Sequence, residues 1–255
     1  MLNLHTRFGY LKIFDASQAV EILSDEMSSK MRTYHFLNAF VISEASKNRQ
    51  YFEILTRGIC FCDSRPLEAY SRFVRSPIKQ LRGVDFLKAV LPDPASGRQL
   101  IIGGTQKNQA ELIQAIAMKF DKSISISYHQ PEFSDDISVI YTSSLRKVRT
   151  VKPNTIWLGI GTPKQDLLAD LMRNKVKANI FCVGAAIGFL VSEVVESPKW
   201  LQWIGLEWLY RLTKEPGRLW RRYLFGNLAF LRILLKDLTN RSLDGIRQSY
   251  RTKGN

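Results

Sequence analysis

The sequence has little cysteine and no long apolar segment. Three of the 255 residues are cysteine, at Cys60, Cys62 and Cys182, and each lies in a short apolar stretch typical of a buried strand. We therefore expect reduced core thiols in a cytoplasmic protein, not a redox or metal site. The chain has no run of about 18 apolar residues and no signal-peptide-like start, so neither a membrane span nor secretion is predicted.

Several enzyme signatures are also missing from the chain. His5, His35 and His129 share no ligand spacing with cysteine or acidic residues, so no metal is predicted. A Gly-x-Ser-x-Gly motif is absent. The acidic pair at residues 135–136 lies in a polar loop instead of forming an Asp-x-Asp motif at a strand end. These absences disfavour metal-assisted chemistry, and we predict no cofactor.

Acidic residues are too few to balance the basic ones. The chain has 37 Lys and Arg against 23 Asp and Glu, which gives a net charge of +14. Residues 198–255 alone contain 12 basic and 4 acidic residues, and 12 − 4 gives +8 for this segment. Such an excess indicates a phosphate-rich partner, which is a nucleic acid, an anionic membrane or a phosphorylated substrate.

Short apolar segments alternate with helical segments through most of the chain. Strands are predicted at residues 9–14, 34–36, 58–62, 100–102, 124–128, 155–158 and 180–183, and helices at 16–32, 39–55, 109–120 and 164–174. This alternation predicts a Rossmann-like α/β fold, a parallel sheet flanked by helices. From residue 197 onward the pattern is helical only. We therefore expect an α/β core at residues 1–196 and a basic amphipathic helical appendage at residues 197–255.

Two features follow predicted strands, at the sheet edge where ligands bind in such folds. Asp63 comes directly after the apolar run 58–62 and is placed to accept a proton there. Its alternative role is that of a helix N-cap or turn residue. The segment 159–165, Gly-Ile-Gly-Thr-Pro-Lys-Gln, lacks the third glycine of a dinucleotide fingerprint but offers flexible backbone and donors at a helix start. It suits a diphosphate.

The C-terminal segment combines basic and aromatic residues. Arg211, Lys214, Arg218, Arg221 and Arg222 fall three to four residues apart and would share one face of a continuous helix, which the proline at 216 could divide. Tryptophans and tyrosines are interleaved with them, as at an anionic lipid interface. A helical hairpin with its aromatics packed on the core is the alternative, and both remain open.

The second half of the chain contains a series of ordered motifs. They are Gly-x-Gly-x-Pro-Lys-Gln at 159–165, Val-Gly-Ala-Ala at 183–186, Pro-Lys-Trp at 198–200, Gly-Leu-Glu-Trp-Leu-Tyr-Arg-Leu at 205–212, Glu-Pro at 215–216, Arg-Leu at 218–219 and Arg-Tyr at 222–223. Weaker matches precede them in order, at 36–38, 62–63, 83–86, 100–104 and 128–129. Together these motifs resemble the WecG/TagA/CpsF glycosyltransferase family over about residues 34–235.

The resemblance implies an inverting glycosyltransferase that requires no metal ion and uses a UDP-sugar as donor. It makes Asp63 the general base that deprotonates the acceptor hydroxyl. Backbone N–H groups and cations at the glycine turns would stabilise the charge on the departing UDP. The donor-binding residues implied in this way are Asn38, Gly103, Gly104, Tyr128, Gly159, Gly161, Pro163, Lys164, Gln165, Gly184 and Ala185.

The implied acceptor is a saccharide linked to polyprenyl diphosphate. The family adds N-acetylmannosamine, its uronic acid or other hexoses to undecaprenyl-diphosphate-linked sugars, in the synthesis of surface polysaccharides and exopolysaccharides. Arg211, Arg218, Arg221 and Arg222 are then predicted to contact the acceptor diphosphate or an anionic membrane surface, where each contributes about 1 kcal/mol. The expected location is cytoplasmic, peripheral on the inner face of the bacterial cell membrane, and a homo-oligomer is compatible with this expectation.

The chain departs from the family pattern near the expected site. Ser64, Arg65 and Pro66 replace the Gly-x-Gly that usually follows the aspartate, Gln80 stands where many members have arginine, and Gly188 replaces an acidic residue. A non-catalytic scaffold of a polysaccharide assembly complex is therefore the alternative function. No nucleic-acid partner is predicted, because aromatics on helices do not form a base-stacking platform.

Overall fold

A computed structural model of the protein describes residues 1–17, 19, 32–107, 109–120, 124–191 and 195–252. The side chains of residues 218, 222 and 244–252 are not among those described. Most of the helix predicted at residues 16–32 lies outside the described residues.

A six-stranded sheet forms the centre of the molecule. Its strands are β3 (Thr33–Leu37), β4 (Ile59–Cys62), β5 (Gln99–Ile102), β6 (Ile126–His129), β7 (Thr155–Leu158) and β8 (Asn179–Cys182). They lie in the order β4-β3-β8-β7-β5-β6, and every neighbouring pair is parallel. The predicted α/β class with a parallel sheet is therefore confirmed.

An antiparallel hairpin precedes the sheet. Its strands are β1 (Leu2–Thr6) and β2 (Gly9–Ile13), of which the sequence pattern predicts only the second. In β1, buried Leu2 and Leu4 alternate with more exposed residues, which is the pattern of a half-buried strand. Directly after β2, Phe14 forms a parallel bridge with Phe61 of β4. The hairpin thus extends the sheet at its β4 edge.

Aromatic stacking fills one face of the sheet, and aliphatic residues and thiols fill the other. Phe181 lies between Tyr34 and Trp157, with ring centroids 4.5 and 4.8 Å away. On the opposite face the three cysteines are free and buried, as the sequence predicts. Burial raises the pKa of the Cys62 thiol to about 12. A thiol with such a pKa stays protonated and unreactive at neutral pH.

In the described part of the chain, seven α-helices between the strands and one directly after the last strand cover the sheet. They are α1 (Ala39–Lys47), α2 (Arg49–Arg57), α3 (Arg65–Phe73), α4 (Gly83–Val90), α5 (Gln109–Phe120), α6 (Ile137–Val151), α7 (Lys164–Met172) and α8 (Ala186–Leu190). The single helix predicted at residues 39–55 is two helices, because Asn48 ends α1 and its side chain accepts a hydrogen bond from the Tyr51 N–H at 3.1 Å. Helices α3, α4, α6 and α8 are absent from the sequence-based prediction.

Three further helices follow α8: α9 (Lys199–Trp203), α10 (Glu207–Lys214) and α11 (Pro216–Thr252). Because α11 begins at Pro216, the basic residues fall on two helices and do not form one continuous face. Phe230 and Leu234 of α11 pack in the same hydrophobic cluster as the β1–β2 hairpin and α1. The described part of the chain contains no helix with the length and apolar character needed to cross a membrane. The division between residues 196 and 197 stays a prediction.

A buried carboxylate fastens α11 to the N-terminal hairpin. Asp237 has no solvent-exposed surface and accepts hydrogen bonds from the His5 N–H at 2.7 Å, the Tyr70 hydroxyl at 2.5 Å and Arg241 Nε at 2.7 Å. Its three donors come from β1, α3 and α11 itself. One side chain thus joins three segments that are distant in sequence.

We expect Asp237→Ala to lower the free energy of unfolding by roughly 3 kcal/mol, because it leaves the arginine and two other part-buried donors without their acceptor. Urea denaturation followed by circular dichroism measures this loss. Thr239→Ala, on the exposed face of the same helix, is the matched control and should change stability by less than about 0.5 kcal/mol. Equal stability of the two variants would show that α11 is not held by this carboxylate.

Candidate active site

A cavity of about 1010 Å³ opens at the carboxyl ends of the parallel strands. The residue directly after each of the six strands lines it, which is the position of ligand sites in open α/β sheets. Eleven residues predicted from the sequence contribute to its wall: Asn38, Asp63, Gly103, Gly104, Gly159, Gly161, Lys164, Gln165, Gly184, Ala185 and Arg211.

The turns after β5 and β7 touch each other through two glycines. A Cβ atom at Gly159 would lie 2.7 Å from the Cα of Gly104 and 2.6 Å from Cδ1 of Ile187. Gly104 also has a φ of +86°, in the left-handed region that favours glycine. Larger residues would separate the two turns. The glycines therefore fix both turns side by side in the cavity wall.

The turn after β7 is held by the side chain of Gln165. Its Oε1 accepts from the Gly161 N–H at 3.2 Å, and its Nε2 donates to the Cys182 carbonyl at 3.2 Å. Pro163 follows a cis peptide bond and precedes α7 directly, but it does not line the cavity. Gln165 therefore braces the turn against β8, and its predicted contact with the donor stays a prediction.

A buried polar cluster lies beneath this turn. Asp166 is hydrogen-bonded to Nδ1 of His35 at 2.6 Å, and it accepts from the hydroxyls of Tyr51 at 2.8 Å and Thr162 at 3.3 Å. His35, Asp166 and Cys182 bring three potential metal-ligand atoms within 4.8 Å of one another, which their sequence spacing does not reveal. Hydrogen bonds already engage both carboxylate oxygens, and burial raises the pKa of the Cys182 thiol. We interpret the cluster as support for the turn.

Asp63 projects from the end of β4 into the cavity. The N-cap of α3 is the neighbouring Ser64, whose hydroxyl accepts from the Leu67 N–H at 3.4 Å, so the capping alternative for Asp63 does not apply. Asp63 is partly exposed, and it lines the cavity. Desolvation, with a smaller contribution from the negative charge of Glu207, raises the pKa of Asp63 to about 8, while Arg82 opposes the shift. The group is thus poised to exchange a proton near neutral pH.

Arg82, just before α4, is the central cation of this part of the wall. Its guanidinium lies 3.2 Å from a carboxylate oxygen of Asp85, 3.2 Å from one of Glu207 and 3.6 Å from one of Glu196. Only 11% of its side chain is exposed. These acidic neighbours raise the pKa of Arg82, although burial works against them. The arginine stays charged and sits between the core and the C-terminal helices.

Helix α10 contributes a polar face to the same cavity. Glu207, Arg211 and Lys214 follow one another at spacings of four and three, and all three line the wall. The guanidinium of Arg211 lies 5.4 Å from the ring centre of Phe189 in α8. The C-terminal helices therefore supply part of the site, which joins the predicted acceptor residue Arg211 to the predicted donor residues.

Lys164 is held by the loop after β6. Its ammonium group donates to the Ser134 carbonyl at 2.8 Å and to the Asp135 carboxylate at 2.7 Å, and it lies 4.9 Å from the ring centre of Phe133. Residues 130–134 line the cavity. Lys164, which the sequence assigns to donor binding, thus connects the loop after β6 to the glycine turn after β7.

The remaining predicted residues either lie away from the cavity or have a structural contact of their own. Tyr128 is buried behind the wall, and its hydroxyl donates to the Thr105 carbonyl at 2.9 Å. Asn38 reaches the wall but also caps α1, where its side chain accepts two backbone N–H groups. Arg221 lies exposed on α11, 5.2 Å from the ring centre of Trp220. Residues 218 and 222, the two other arginines predicted to contact the acceptor or the membrane, have side chains that the structure does not describe.

The sequence assigns no site role to Glu207, and it offers Arg82 only as a possible substitute for the arginine that Gln80 replaces. Arg82 directly precedes the Gly-x-Asp motif at residues 83–85, and Glu207 lies within the Gly-Leu-Glu-Trp motif. The position of each residue is therefore marked by a sequence motif. A charge on a helix usually faces water, however, and only the fold shows that these two meet.

The sequence profile of the Glycosyl transferase WecG/TagA/CpsF family matches residues 7–243. The chain belongs to this family. A relative from Bacillus subtilis (strain 168), named N-acetylglucosaminyldiphosphoundecaprenol N-acetyl-beta-D-mannosaminyltransferase, is 22% identical over 195 residues, which cover 74% of this chain and 73% of the relative. The cavity of this family member has two kinds of chemical group. Its carboxylate can remove a proton, and its cations and glycine turns can hold phosphate groups.

Proposed function

We propose that the protein transfers a hexose-type sugar from a UDP-sugar to a saccharide linked to polyprenyl diphosphate, with inversion and without a metal ion. The observation that carries the proposal is the placement of Asp63. It stands in the wall of the same cavity as the glycine turns and the polar face of α10. A base and an anion-binding surface in one cavity are what a direct displacement at a sugar carbon requires.

In this scheme Asp63 accepts the proton of the acceptor hydroxyl as the oxygen attacks the anomeric carbon. The bond from that carbon to UDP breaks on the opposite face, which inverts the configuration. A carboxylate with a pKa near the operating pH combines ionisation with strong basicity, and such a base contributes about 10²- to 10⁴-fold to rate. The raised pKa of Asp63, about 8, supports this role.

The departing UDP needs positive charge and backbone donors. Gly104 and Gly159 hold two turns in contact in the wall, and Lys164 stands at the start of α7, where the helix N-terminus favours an anion. We propose that these groups hold the donor diphosphate in place of a metal ion. Arg211 and Lys214 face the same space from α10 and fit the diphosphate of the acceptor.

The proposal for the acceptor is supported by the name of the Bacillus subtilis relative, which specifies a lipid-linked N-acetylglucosamine acceptor and an N-acetylmannosaminyl donor group. Incubation with a panel of UDP-sugars and a short-chain polyprenyl-diphosphate N-acetylglucosamine, followed by mass spectrometry of the lipid, tests it. A mass increase of one sugar with at least one donor is expected. Absence of transfer with every donor contradicts the proposal and favours a non-catalytic scaffold.

We further propose that α11 lies on the inner face of the cell membrane as a peripheral contact. Five large apolar side chains form one exposed stripe along it: Trp220, Leu224, Leu228, Leu231 and Leu235. Arg221, Arg232 and Lys236 are exposed beside this stripe. An apolar stripe bordered by cations suits the boundary between acyl chains and anionic headgroups.

The double variant Leu228→Glu/Leu231→Glu should reduce binding to vesicles that contain phosphatidylglycerol by roughly tenfold or more. It replaces two apolar side chains that would be buried in the lipid with negative charges that the anionic lipid repels. Both side chains are about half exposed, so the fold should be retained. Vesicle co-sedimentation measures the change, and Met118→Glu, at an exposed position of α5, is the control. Equal binding of the double variant and the control would contradict a membrane contact through this stripe.

A further inference from the structure

We propose that Glu207 is a positioning residue of the site, whose ion pair with Arg82 fixes α10 over the cavity and holds both charges beside Asp63. The catalytic part of this inference rests on the proposed function. The ion pair and its effect on Asp63 do not depend on it.

The contact joins two segments that are far apart in sequence. Oε2 of Glu207 lies 3.2 Å from a terminal nitrogen of Arg82, and both side chains are mostly buried in the cavity wall. Glu207 is the first residue of α10, while Arg211 and Lys214 follow on the same face. A helix anchored at its first residue presents the rest of that face in a fixed direction. The ion pair thus sets where the cations of α10 stand.

A second contact keeps the start of α10 close to the core. Gly205, in the turn before α10, has a φ of +79°, and a Cβ added there would lie 3.1 Å from Cβ of Arg65 in α3. The turn is therefore packed against the helix that follows Asp63. Both contacts place the N-terminus of α10 next to the end of β4.

The charged groups around Asp63 come from several segments, and six of them are basic and four acidic. They are Arg65 and Glu68 from α3, Arg82 and Asp85 at α4, Lys88 and Glu196 beside them, Lys164 from α7, and Glu207, Arg211 and Lys214 from α10. Burial and the negative charge of Glu207 favour the protonated form of Asp63, whereas Arg82 favours the ionised form. Glu207 therefore has two effects: its charge repels the ionised form of Asp63, and its carboxylate holds the Arg82 guanidinium together with Asp85 and Glu196.

Loss of the Glu207 charge should make Asp63 a weaker base. Carbon-13 NMR titration of the Asp63 carboxyl group, assigned with Asp63→Asn, measures this effect without any substrate. In Glu207→Gln we expect the pKa of Asp63 to fall by about one unit or more, since a like charge is removed and Arg82 loses one of its acidic partners. Glu207→Met, which has a similar side-chain length and no charge, should give the same decrease and serves as the second variant if Glu207→Gln does not fold.

The matched control is Glu53→Gln, at an exposed ion pair with Arg49 on α2, which should leave the pKa of Asp63 unchanged. In the transfer assay Glu207→Gln should lower kcat roughly tenfold and shift the acidic limb of the pH profile to lower pH. An unchanged Asp63 pKa in a folded neutral variant overturns the inference. A wild-type protein that transfers no sugar, but whose Asp63 pKa responds to Glu207→Gln, supports the ion-pair effect and contradicts only the proposed function.

Discussion

Asp63→Asn should lower kcat for sugar transfer by about 10²- to 10⁴-fold, because an amide cannot accept the proton of the acceptor hydroxyl. The asparagine keeps the size of the side chain, and the cavity wall around it should not change. Binding of UDP, measured by calorimetry, should therefore stay within about threefold of wild type, since about 0.6 kcal/mol corresponds to that factor. Asp170→Asn, at a surface ion pair with Arg57 on the outer side of α7, is the control and should retain wild-type turnover.

The stability of Asp63→Asn at different pH values distinguishes an effect on catalysis from an effect on folding. The pKa of Asp63 is about 8 in the folded protein, above the value of about 3.9 for an unfolded chain. The folded state therefore holds the proton more tightly, and stability falls as pH rises from about 4 to about 8. Asp63→Asn removes this penalty, so we expect a higher Tm than wild type at pH 8. A variant that loses both turnover and stability at pH 8 would contradict the assignment of Asp63.

Gly159→Ala should reduce kcat/KM by about 10²-fold and the free energy of unfolding by about 1–3 kcal/mol. The added methyl group would lie 2.7 Å from the Cα of Gly104 and 2.6 Å from Ile187 Cδ1, so the two turns must separate. A displacement of about 1 Å in groups that position a substrate can lower the rate by about 10²-fold. Steady-state kinetics and thermal unfolding measure the two effects.

Gly217→Ala is the matched glycine control for this prediction. A Cβ at residue 217, near the start of α11, meets no atom within 4 Å. The substitution should leave kcat/KM unchanged and stabilise the protein by up to about 1 kcal/mol, because alanine restricts the unfolded chain. Wild-type kinetics in Gly159→Ala would show that the contact between the two turns does not shape the site.

The sequence predicts the elements that form the sheet because their signals are local. The run at β7, Thr155–Leu158, is apolar after its first residue and ends in a glycine turn, which marks a buried strand with the bounds that the structure has. Asp63 could be placed at the sheet edge for the same reason, since it directly follows an apolar run, whereas its predicted role as a base comes from the family resemblance. The helix break at Asn48 escaped prediction because the capping residue lies within a continuous amphipathic pattern.

Contacts between distant segments could not be predicted from the sequence. His35 and Asp166 are 131 residues apart, and only the parallel alignment of β3 and β8 under α7 brings them together. The same holds for Arg82 and Glu207, each of which alone resembles an ordinary surface charge. The basic C-terminal segment was predicted, but its charge pattern does not reveal that Phe230 and Asp237 anchor α11 to the N-terminal hairpin.

The pH dependence of kcat/KM for the wild-type enzyme tests the central role of Asp63 most directly. In the proposed mechanism the free enzyme is active only when this carboxyl group is ionised, so kcat/KM is expected to rise with pH and to level off above an inflection near pH 8. The measurement uses one donor and one lipid-linked acceptor at subsaturating concentrations between about pH 6 and pH 10. A rate that is independent of pH across the region between about pH 7 and pH 9 would contradict a general base at Asp63.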